Sequence, residues 1–169
     1  AQWINESGLI VGSADFPRPM PELNFHDAVI WKNGKINDLG RVDGDACSRA
    51  YGLNERGQVV GFSGDCHAAL HAFVWEEGGT MLDLNTVIPP GSGLQLTNAI
   101  NINDRGEILA ESVVVTPLGD ADIGRLVLLV PCDEGRGDCV NVLSLSPEST
   151  QVLSPAAQRP GSQQPNAQD

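Results

Sequence analysis

Basic residues are scarce: 10 Lys and Arg stand against 22 Asp and Glu, a formal charge of −12. Phosphate and anionic lipid are held by clustered Lys and Arg, so no nucleic-acid partner is expected of so acidic a chain with no local basic run. Apolar runs are short. None approaches the ~20 residues of a membrane-spanning helix, so no membrane insertion is expected. Stretches with 3.6-residue periodicity are missing, which argues against a helical fold. No G-x-S-x-G, H-E-x-x-H, P-loop or dinucleotide fingerprint occurs. The sequence therefore points to no enzyme chemistry and no cofactor. The chain has 169 residues, enough for one domain with a core. It opens at "AQWINESG", already inside a repeat, so a processed, trimmed or partial chain is expected.

What is plentiful is Gly (19) and Pro (11), punctuating short apolar runs. That pattern predicts an all-β fold. One turn is written three times: "INESGLIVG" (Ile4–Gly12), "LNERGQVVG" (Leu53–Gly61) and "INDRGEILA" (Ile102–Ala110). Asn5, Asn54 and Asn103 recur at intervals of 49 residues (54 − 5 and 103 − 54), and a constant period of this size marks a repeat architecture. Asn at the head of a type I turn bonds the backbone just ahead of it. Gly8, Gly57 and Gly106 then supply a left-handed residue, so each copy predicts a tight hairpin with a Gly bulge.

Two further strands follow each turn. The apolar one is "HDAVIW" (His26–Trp31), "HAFVW" (His71–Trp75) and "RLVLLVP" (Arg125–Pro131); a continuous apolar run is expected to be buried on both faces. The alternating one is "KINDLG", "TMLDLN" and "VNVLSL", expected at the outer edge. Small residues close the second strand (Gly12, Gly61, Ala110), where a neighbouring backbone can approach closely. The prediction is three four-stranded antiparallel blade-like repeats of 49 residues, a partial β-propeller. The blades run about 1–42, 43–96 and 97–146, within one repeat domain 1–146. Residues 147–169, Pro/Gln/Ser-rich, are expected to form a disordered tail. Because propellers close with four to eight blades, three leave two open faces. Further blades on the N-terminal side are the first expectation; self-association or an irregular sandwich are the others.

Four cysteines suggest oxidation. Cys132 and Cys139 flank the turn between the last two strands, and Cys47 and Cys66 flank the central hairpin at similar distances. The expected bonds are Cys47–Cys66 and Cys132–Cys139, although two other pairings remain possible from sequence alone. A zinc reading of Cys66, His67 and His71 is thin, since no C-x-x-C pair exists.

The three turns, paired with "HDAVIW" and "HAFVW", resemble the HAF family of bacterial extracellular repeats; "HAF" itself stands at His71–Phe73. The run Asp83–Ala110 looks like the final repeat of such proteins, and "RLVLLVPCD" resembles their closing strand. The resemblance covers most of residues 1–140. It implies an exported chain of propeller-like character, extracellular or periplasmic, with no catalytic motif to transfer, and a C-terminal portion of a longer protein. The first copy departs by the inserted Asp27, the third by Arg125 in place of His.

Single residues invite chemistry less than they invite packing. His26 and His71, placed at one position of two blades, are expected to bond backbone or carboxylate. Trp3, Trp31 and Trp75 are expected in packing rather than as sugar platforms. Asp43, Asp45 and Asp65, and separately Asp120 and Asp122, could form an acid pair or calcium site, but solvated loop acids are the commoner outcome. "NINDRG" (Asn101–Gly106) is the nearest calcium-loop match, spoiled by Arg105. Loops 13–25, 62–70 and 111–124 vary most in length, so a glycan or protein partner is expected there. The functional expectation is a non-catalytic exported scaffold or recognition module. The alternative is a secreted hydrolase such as a glycosidase, with carboxylates in the loops between strands.

Overall fold

In a computed structural model of the chain, the residues described are 1–16, 25–115, 121–131 and 142–145. They form three four-stranded antiparallel sheets. Sheet I holds β1 (Trp3–Ile4), β2 (Ile10–Asp15), β3 (His26–Lys32) and β4 (Lys35–Asp38). Sheet II holds β5 (Cys47–Leu53), β6 (Val59–Gly64), β7 (Ala69–Trp75) and β8 (Leu82–Asp83). Sheet III holds β9 (Leu94–Ile102), β10 (Ile108–Val115), β11 (Ala121–Leu129) and β12 (Val142–Leu145). Strands pair in chain order in every sheet, so each unit is a meander and the all-β expectation holds.

Local chemistry accounts for this order. In the central turn Gly57 N–H donates to Asn54 O at 3.1 Å and Asn54 N–H to Gln58 O at 3.2 Å. Gly57 sits at φ 80°, which an L side chain rarely adopts. The β3–β4 connection uses Asn33 (φ 53°) and Gly34 (φ 73°), a two-residue turn whose twist matches its strands. In β5 the pairing skips Tyr51, leaving a bulge opposite Gly61. A Cβ on Gly61 would stand 1.9 Å from Arg49 O, so only glycine allows β5 to approach there.

The sheets stack face on face. β5 lies against β2 and β3, and β9 lies against β6 and β7. Two apolar clusters fill the interfaces. The first joins Val11, Ala28 and Ile30 of sheet I to Ala50, Leu53, Val59 and Phe73 of sheet II. The second joins Val60 and Ala72 of sheet II to Leu96, Ala99, Ile102, Ile108, Ala110 and Val127 of sheet III. Val59 and Val60, adjacent on β6, enter opposite clusters because strand side chains alternate. Sheet II thus buries both faces, and its neighbours supply both covers.

Cys47 and Cys66 are bonded, with Cα atoms 4.9 Å apart, tying the start of β5 to the β6–β7 loop. A cystine of this kind fits an oxidising compartment. No helix among the described residues is long and apolar enough to cross a membrane. Cys132, Cys139 and the segment 147–169 lie outside the described residues, as do parts of loops 13–25 and 111–124.

Candidate functional site

The turn asparagines do more than shape their own hairpins. Asn5 Oδ1 accepts from Leu9 N–H (2.9 Å), while Asn5 Nδ2 donates across the interface to Asn54 O (3.1 Å). Asn54 Oδ1 accepts from Arg56 N–H (3.1 Å) and Gln58 N–H (3.0 Å), and Asn54 Nδ2 donates onward to Asn103 O (3.0 Å). Asn5 and Asn54 therefore each close their own turn with the side-chain oxygen and grip the next unit with the nitrogen. The following residue adds a second rung. Glu6 N–H donates to Glu55 Oε1 at 2.7 Å, and Glu55 N–H donates to Asp104 Oδ1 at 2.9 Å. Sequence reading found the first job of Asn5, Asn54 and Asn103 but not the second, which appears only when the units stack in register.

The ladder ends at unit three. Asn103 Oδ1 accepts from Arg105 N–H and Glu107 N–H, both at 3.0 Å, and its Nδ2 donates to Glu107 Oε2 at 2.6 Å. Arg105 and Asn103 together hold the Glu107 carboxyl below the usual carboxylate range, and Glu107 raises the Arg105 guanidinium in turn.

Buried and partly buried polar groups latch the linkers. Ser48 Oγ accepts from Ala28 N–H (2.8 Å) and donates to Gly40 O (2.6 Å). Ser63 Oγ accepts from Val42 N–H at 3.1 Å. Asn85 Nδ2 donates to Leu96 O (2.9 Å), and Leu96 N–H donates to Asn85 Oδ1 (2.7 Å). Sequence reading missed all three. Their only signal is a polar residue inside an otherwise apolar strand or linker.

The histidine equivalence needs correction. Counting from the shared tryptophan, β3 and β7 align so that Ala28 opposes Ser13 as Ala72 opposes Phe62. Asp27, not His26, then occupies the place of His71, and Arg125 occupies it in sheet III, opposite Ser112. The inserted Asp27 pushes His26 one residue out of register. Asp27 is 2% exposed and lies 3.6 Å from Arg41 Nε. His71 Nδ1 stands 2.9 Å from Asp45 Oδ2, a carboxylate with a 5% exposed side chain.

Asp65 is tied to structure as well. Asp65 Oδ1 accepts from His67 N–H (2.9 Å) and Ala68 N–H (2.7 Å), and these amides hold its carboxyl below the usual range. An acid held ionised is a poor proton donor. Cys66, bonded to Cys47, presents no thiolate for a metal. Among the described residues no three His, Cys, Asp or Glu side chains gather to hold an ion. Asp120 lies outside the described residues.

Trp31 and Trp75 are partly buried, Trp75 against the first cluster. Trp3 differs from the packing expectation: on the two-residue β1 it is 45% exposed. Two clefts flank Trp75 between sheets I and II. One, ≈ 440 Å³, is bounded by Lys32, Asn33, Asn37 and Glu77, with Lys32 Nζ bonded to Glu77 across the interface at 2.6 Å. The other, ≈ 670 Å³, is lined by Asp38, Arg41, Asp43, Thr80 and Asp83. An aromatic wall with amides on one side and carboxylates on the other can take a hydroxyl-rich ligand. The first cleft sits beside the β3–β4 turn; the second runs from the β7–β8 turn to the Asp38–Asp43 segment, where Val42 meets Ser63 of loop 62–70. No protein-family profile, curated protein or solved structure matches this chain.

Proposed function

We propose that this chain is a non-catalytic, exported recognition or scaffold module of the HAF-repeat type, its units stacked as blades of a partial β-propeller. The observation that carries this reading is the asparagine ladder. The repeated residues of the sequence, Asn5, Asn54 and Asn103, close turns and join sheets. Asp65 and Asp45, the acids that would otherwise suggest chemistry, hold a turn and a histidine. Export is supported by the Cys47–Cys66 bond.

The seat for a partner is the pair of clefts around Trp75, and a glycan is the ligand class they fit. Titrating soluble oligosaccharides while following tryptophan emission tests this. Saturable quenching that disappears in Trp75→Ala is expected, with no sugar released from chromogenic glycosides. Hydrolysis that is abolished by Asp43→Asn or Asp83→Asn would replace the module with a glycosidase.

A further inference from the structure

Sheet I carries a second face that the stacking leaves open. Register assigns its members. Ile4 pairs with Ile10 as Leu53 pairs with Val59, and Trp31 with Ile36 stands where Trp75 and Met81 stand in sheet II. In sheet II these positions are the buried interface toward sheet I: Leu53 is 3% exposed and Val59 and Phe73 are 0%. In sheet I, Ile4 is 62% and Ile36 44% exposed. Val29, the counterpart of Phe73, is already buried.

The polar rim of the same face is also set for a partner. Asn54 O and Asn103 O each receive an asparagine amide from the unit before, and the Glu55 and Asp104 carboxylates each receive a backbone N–H. Asn5 O and the Glu6 carboxylate occupy the same places and receive no such donor among the described residues. Apart from the already buried Val29, apolar face and polar rim therefore repeat, at the open end, the surface that sheet II offers to sheet I.

We propose that this face docks one further four-stranded unit of the same repeat, with asparagine at its turn and a small residue where Ala28 and Ala72 stand. This goes beyond the recognition role above and rests only on continuity with the two interfaces already described. The outer face of sheet III does not fit that description. Leu126, paired with Glu111, stands where Ala28 and Ala72 stand, and Asn103 Nδ2 is held by Glu107. A second copy arriving by its sheet III would bring the wrong surface.

The test fuses residues 1–49, with Cys47→Ser, directly before Ala1, which keeps the 49-residue period. Ile4→Asp is then placed in the original unit of both the fused and the parent chain. Docking predicts that Ile4→Asp lowers the folding equilibrium constant of the fused chain about tenfold or more beyond its effect in the parent, since only there is the side chain buried. A second fusion with residues 50–98 in front, carrying Cys66→Ser, guards against an added unit that fails to fold. Equal effects of Ile4→Asp in the parent and in both fusions overturn the proposal. So does a parent chain that dimerises with concentration and loses its dimer on Ile4→Asp, because the occupant is then a second copy.

Discussion

Asn54 is the middle rung, and its replacement by Ala should be the costliest of the three turn substitutions. It is 3% exposed, and its side chain makes two bonds to the backbone of its own turn, one to Asn103 O and one to Gln58 Oε1. At about 1 kcal/mol net for each bond, less where a partner regains water, the loss is about 3 kcal/mol. The Asn103 side chain makes bonds only within its own turn and is exposed, so Asn103→Ala should cost about 1 kcal/mol. Asn54→Asp separates the two roles. It keeps the acceptor for Arg56 and Gln58 but turns a carboxylate toward Asn103 O, so it should remain at least as damaging as Asn54→Ala. Urea unfolding followed by tryptophan emission gives these differences as midpoint shifts at constant slope. An Asn103→Ala loss equal to or larger than that of Asn54→Ala refutes the inter-unit role of the asparagine.

Reducing the Cys47–Cys66 bond, which closes a separation of 19 residues, should lower stability by roughly 3 kcal/mol in the chain-entropy model, read as a drop in urea midpoint with dithiothreitol. Phe73→Ala, at a fully buried position between sheets I and II, should cost about 3–5 kcal/mol by the same assay. Gly61→Ala should cost about 3 kcal/mol or more, or leave no folded protein, because the added Cβ meets Arg49 O. Asp65 has a lowered carboxyl pKa in the folded chain, so its contribution is present above the ordinary value of 3.8 and is lost as pH falls through the folded value. The urea midpoint should therefore fall less on acidification in Asp65→Asn than in the parent.

The sheets were legible because their signals are local. Asn-x-x-Gly fixes a hairpin by its own geometry, Asn33-Gly34 fixes another, and the 49-residue spacing makes the units equivalent. The Cys47–Cys66 bond was legible for a related reason: both cysteines flank one hairpin and the pairing of β5 with β6 brings them together. The second role of Asn54 was not legible, because the identity of its acceptor depends on how unit three lies against unit two. Ser48 and Ser63 were hidden in the same way: a serine in a strand says nothing about which linker passes over it. The histidine alignment went astray at one inserted residue, since a one-residue slip moves a side chain to the opposite face. The clefts around Trp75 arise between two sheets and carry no mark in either stretch alone.

The claim on which the rest depends is that separate units are held in register through their turn asparagines. The side-chain amide protons of Asn54 report on this directly by NMR. Bonding to Asn103 O predicts slow exchange with water and cross-peaks from those protons to the Asn103–Asp104 backbone. Rapid exchange at the rate of a free asparagine, with cross-peaks confined to residues 54–58, contradicts it.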